Sequence, residues 1–108
     1  MALAVRMVNL YKYLTEEKKE YVLSKQVLRS GTSVGAMVYE SEHSESTSGF
    51  IHKLAIAQKE INETLYWLEL LSRTDYIAPK EYDSIRTDAT EVIKLLTSIL
   101  KTTKKQQQ

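Results

Sequence analysis

Apolar positions recur at helical spacing through most of the chain. Leu3, Met7, Leu10 and Leu14 share one face of a first segment. Val27, Gly31, Val34 and Val38, flanked by Leu28 and Gly35, share one face of a second. A third stripe runs Phe50, Leu54, Ala57, Ile61, Leu65, Leu68, and a fourth runs Ile85, Ala89, Val92, Leu96, Ile99. No sustained period-two run bounded by turn residues competes with them. Thr15 ahead of Glu16 and Glu17 reads as the N-cap of the second helix, with acids in its first turn. SESTSG, residues 44–49, and RTDYIAPK, residues 73–80, read as turns, with Pro79 suited to the first turn of the last helix. Four helices on short connections predict an all-α, antiparallel up-and-down four-helix bundle over residues 1–103 and a polar tail over 104–108. The second and third helices are expected to be the long ones, each roughly 35–40 Å.

Two of the chain's three glycines, Gly31 and Gly35, fall inside the second helix. Each costs about 0.5–1 kcal/mol relative to alanine there. Folding the second helix back on the third places Ala36 near Ala57, Ser33 near Glu60, and Arg29 near Glu63 or Thr64. Gly31, Gly35, Ala36 and Ala57 are therefore expected to form a packing seam between those two helices, where backbones approach closely. A kink at one glycine is the alternative.

With 108 residues the chain suits one domain, and a net charge of +1 does not mark a dedicated nucleic-acid binder. It has no cysteine, so disulfides and thiolate metal sites are excluded. No apolar run reaches the length of a membrane span, and MALAVRMVNLYKYL lacks a signal-peptide pattern, so a cytoplasmic protein is expected. Glu40-Ser-Glu-His43 has the spacing of one half of a di-iron site, but His52 has Gly49 three positions before it, so the second half is missing. Neither a metal, a cofactor nor a small-molecule substrate is expected.

On the wheel of the third helix, Ile56, Trp67 and Leu70 fall opposite Leu54, Ile61 and Leu65. With Tyr66 they form a candidate subunit interface, since a helix apolar on two faces needs two buried surfaces. Tyr11 and Tyr39 suit amphipathic interface positions as well. Arg29, Ser33, Glu60 and Glu63 read as a structural polar cluster rather than an acid–base pair, because no nucleophile lies near them. Lys18, Lys25, Lys53 and Lys59 are candidate nucleic-acid contacts, against the plainer reading of a mixed solvated surface.

LRSGTSVGAMVYES (28–41), FIHKLAIAQKEINETLYWLELL (50–71) and EVIKLLTSILK (91–101) together resemble the family of small four-helix-bundle proteins encoded in intervening sequences of bacterial 23S ribosomal RNA genes. The resemblance runs from about Tyr11 to Lys101. Its most specific parts are Arg29–Ala36 and Lys59–Leu68. Met37 stands where the family pattern has Asn. The resemblance implies a non-enzymatic homo-oligomer, a pentameric ring. A distantly similar group, the accessory proteins of diversity-generating retroelements, binds nucleic acid and a reverse transcriptase, which makes an RNA- or reverse-transcriptase-binding accessory protein the alternative. Those proteins are strongly basic, unlike this chain.

Overall fold

A computed structural model describes residues 1–107. Four helices, α1 (Ala2–Glu16), α2 (Leu23–Ser41), α3 (Thr47–Arg73) and α4 (Pro79–Gln107), follow one another up and down with short connections. No strand occurs among the described residues. At ~1.5 Å per residue the helices are roughly 22, 28, 40 and 43 Å long. The long pair is therefore α3 and α4, not α2 and α3. α4 continues through Lys104 and Lys105 to Gln107, so the described part of the polar tail is helical; Gln108 lies outside the described residues.

The shorter α2 reflects a later start than Thr15 suggests. The Thr15 hydroxyl donates back to the Tyr11 carbonyl at 2.9 Å and stays within α1. The chain reverses at Lys19, whose φ is 56°. Glu20 then caps α2: its carboxylate accepts from the backbone N–H groups of Val22, Leu23 and Ser24 at 3.2, 2.9 and 2.7 Å. These satisfy donors that a helix start leaves unpaired. At the next connection the Ser46 hydroxyl accepts from the Gly49 N–H at 3.1 Å and starts α3.

The core has two tiers. Met7, Leu10 and Leu14 of α1 join Val27, Leu68, Leu71, Ile77 and Ile85 in the first. The second is built from Val34, Leu54, Ala57, Ile61, Ala89, Leu96 and Leu100, with no buried residue from α1. α1 is simply too short to reach the far end of α4. Between the tiers Arg6 ties α1 to α4, donating to Asp88 at 2.6 Å and to Glu81 and Ser84 at 2.9 Å.

The glycines face α1 rather than α3. A Cβ on Gly31 would lie 2.7 Å from the Met7 sulfur, and closer still to Met7 Cγ. A Cβ on Gly35 would meet only the Ala4 methyl, at 4.0 Å. The expected seam of Gly31, Gly35, Ala36 and Ala57 is thus split: Ala57 is buried in the α2–α3–α4 tier, while Ala36 is exposed. The close α2–α3 contact is polar instead. The Ser30 and Thr64 hydroxyls, both buried, lie 3.0 Å apart, and each also reaches a carbonyl one turn back in its own helix. Thr64 fills a stripe position, so the buried face of α3 runs Leu54, Ala57, Ile61, Thr64, Leu68, Leu71.

Candidate functional site

Two regions carry the candidate residues. The first is a polar cluster on the α2–α3 hairpin. Arg29 donates to Glu60 at 3.2 Å and to Glu63, and Trp67 Nε1 donates to the same Glu63 oxygen at 3.0 Å. The hairpin register expected from the turn brings Arg29 to these acids. Ser33 does not join them: its hydroxyl donates to the Arg29 carbonyl at 2.7 Å, as helical serines commonly do. Each carboxylate has a cationic or N–H partner, and no nucleophile touches the cluster. Its evident work is to fix the hairpin and the indole.

That indole is not opposite the core. Trp67 is half-buried and packs against the first tier. Helical geometry explains it: at ~100° per residue, Trp67 lies ~60° from Thr64 and ~100° from Leu68, both buried, on the flank of the true stripe. Ile56 and Leu70 are likewise half-buried. Of the four candidate interface residues only Tyr66 is exposed, its ring edge-on to Trp67 at 4.9 Å.

The candidate nucleic-acid lysines do not converge. Lys18 sits in the α1–α2 connection with its ammonium 5.9 Å from the Tyr13 ring centre. Lys25 is in the first turn of α2 and Lys59 midway along α3. Lys53 lies near the other end, 3.8 Å from Glu40. His43 packs against Tyr39 at a tilt, ring centres 4.9 Å apart, and Glu40 faces Lys53.

The second region is not among the sites expected from the sequence. Where α1 stops, an apolar groove of about 780 Å³ opens between α2 and α4. Val34, Gly35 and Val38 form one wall, Val92, Leu95 and Ile99 the other. Leu95 is 60% exposed. The only charged side chains lining it are Glu40 and Glu42, at the C-terminal end of α2. Glu40 reaches Lys53, whereas Glu42 has no ion-pair partner among the described residues. The signal was present in the sequence as a ten-residue run without charge, Ser30 to Tyr39. Such a run on a helix buried on one side leaves an uncharged outer surface.

No helix among the described residues is long and apolar enough to cross a membrane. No match is found among curated proteins. Among solved structures the chain is similar to a protein of unknown function from the S23 ribosomal protein family of Bacteroides thetaiotaomicron VPI-5482. The two are 60% identical, the match covers 93% of each chain, and the TM-score is 0.92. A family model, described as the 23S rRNA-intervening sequence protein, matches residues 1–98. With the four-helix fold and these two matches together, the chain belongs to the family of 23S rRNA-intervening sequence proteins.

Proposed function

We propose that the chain is a non-enzymatic assembly unit that self-associates into a closed homo-oligomer, with the pentameric ring implied by the family resemblance as the form to test. One observation carries this reading: the second core tier is walled by three helices, and the groove left on its fourth side is apolar. Among the described residues no element lies over it. Contiguous apolar surface of this kind marks an interaction site in a stable protein. The polar cluster supports the non-enzymatic part, since its carboxylates are committed to Arg29 and Trp67. Sedimentation velocity at micromolar concentration tests the reading. Assembly gives a species several times the 12.4 kDa chain mass, and a lone 12.4 kDa species refutes it.

A second reading, RNA binding, has one observation in its favour. After Glu91, α4 carries Lys94, Lys101, Lys104 and Lys105 and no acid. None of the four is in an ion pair among the described residues. It predicts affinity for structured RNA that falls steeply with salt, because neutralised phosphates release counterions. No binding at low salt removes it.

A further inference from the structure

We propose that the groove below α1 receives the outward ridge of α1, Val5 and Val8, from a second copy of the chain. The inference rests on the self-association reading and names the surfaces that make the contact. Three observations meet in it.

The first is that α1 is apolar on two sides over residues 2–8, where Arg6 is the one polar side chain. Leu3, Met7, Leu10 and Leu14 point inward, yet Val5 and Val8 on the outward side are 52% and 39% exposed. A helix on the surface of a small bundle ordinarily carries its charges there, and one apolar all round is ordinarily buried. α4 shows the contrast, with Asp83, Thr87, Glu91 and Lys94 along its exposed side.

The second is the shape of the groove. It continues the line of α1 beyond Met1, between the same two helices that flank α1. Its walls are thus already spaced for a helix. Gly35, where an added Cβ would meet nothing beyond its own turn of helix nearer than Ala4 Cβ at 4.0 Å, leaves that wall low enough for close backbone approach.

The third is charge. The groove is lined by Glu40, which faces Lys53, by Glu42 and by no basic side chain; the Met1 α-amino group lies at its α1 end, and the other end is where the α2 dipole places partial negative charge. α1 carries Arg6 and Lys12 and no carboxylate before Glu16. Arg6 is committed to α4 of its own chain, but Lys12 is exposed, one turn beyond Val8, and free among the described residues. A helix of this composition suits an acidic-rimmed apolar slot. A membrane or an acidic peptide does not suit the rim.

The chain's lack of cysteine allows a direct test. Two single-cysteine chains, Val5→Cys and Leu95→Cys, are mixed and mildly oxidised. Ridge-in-groove pairing gives a mixed disulfide between the two chains in preference to either self-pair, since bridging needs Cα atoms within ~7 Å. Absence of that mixed product overturns the pairing. In parallel, Val8→Glu and Leu95→Glu are examined by sedimentation velocity. Both positions are solvent-exposed in the single chain, so helical circular dichroism stays at the wild-type level while the assembled species moves toward 12.4 kDa. If both variants stay assembled, the groove is not the contact, although self-association stands. If the wild-type chain itself sediments at 12.4 kDa, both readings fall.

Discussion

Gly31 and Gly35 are one helical turn apart, and replacing each with alanine should move stability in opposite directions. In both cases alanine removes backbone freedom from the unfolded chain, worth about 0.5–1 kcal/mol in favour of the variant. At Gly35 nothing within the single chain opposes that gain, because the nearest neighbour to the new methyl is Ala4 Cβ at 4.0 Å. At Gly31 the new methyl lands on the Met7 side chain, 2.7 Å from its sulfur. Met7 is fully buried in the first tier and its Cγ, not its flexible end, takes the closest approach, so it has little room to yield. Forcing an extra methyl into a packed core costs about 1–3 kcal/mol. The net expectation is a loss of up to about 2.5 kcal/mol for Gly31→Ala, by subtraction of the helix gain. Urea denaturation followed by helical circular dichroism reads both variants. The runs should be repeated at several protein concentrations, because assembly adds to apparent stability by mass action. At about 4–8 °C per kcal/mol for a chain of this size, thermal midpoints separate the two clearly. A Gly31→Ala midpoint that rises as far as that of Gly35→Ala would refute the close approach of α1 to α2 at Met7.

Glu20 gives a pH prediction. Burial pushes its carboxyl pKa up, but the bonds from Leu23, Ser24 and Val22 outweigh burial and hold it below its ordinary 4.5. A lowered folded-state pKa means the cap's contribution is present above the ordinary value and is lost as pH falls through the folded one. Wild-type urea midpoints should therefore decline below about pH 4.5, and Glu20→Ala should flatten that decline while costing about 0.5–2 kcal/mol at neutral pH. Lys19→Gly should raise the unfolding free energy read by urea denaturation by about 0.5–1 kcal/mol, since φ of 56° strains any residue with a Cβ. Glu63→Ala frees the N–H of Trp67, the chain's one tryptophan, and should shift its fluorescence emission; an unchanged spectrum would count against the bond. Arg29→Lys loses the planar fork to two acids but, with Arg29 half exposed, should cost at most about 1 kcal/mol by the same denaturation assay.

The bundle was legible because each helix buries a regular apolar stripe, and the α2–α3 register was legible because a short turn leaves little freedom. Arg29 meets Glu60 and Glu63 for that reason. What escaped the sequence were choices that depend on three dimensions. Thr64 is polar, so an apolar stripe on α3 does not include it, although its hydroxyl is satisfied by Ser30 and by its own helix. Without it the stripe reads as rotated, and Trp67 falls on the wrong side. The glycines signalled close approach but not to which neighbour, and a helix wheel does not distinguish α1 from α3 on adjacent flanks. Thr15 has capping chemistry, yet Glu20 does the capping because the chain turns at Lys19. The uncharged run Ser30–Tyr39 marks one wall of the groove, but its opening is a property of unequal helix lengths, which no single segment displays.

The unequal lengths also set a gradient of opening along the molecule. Amides of Met7 through Leu14, locked between α2, α4 and a filled interior, should exchange with deuterium last. Those near Val38 and Ile99, wrapped by one fewer neighbour, should exchange first unless something seals that end. Slowed exchange there at high protein concentration, with the other end unchanged, would map the sealing event onto individual residues.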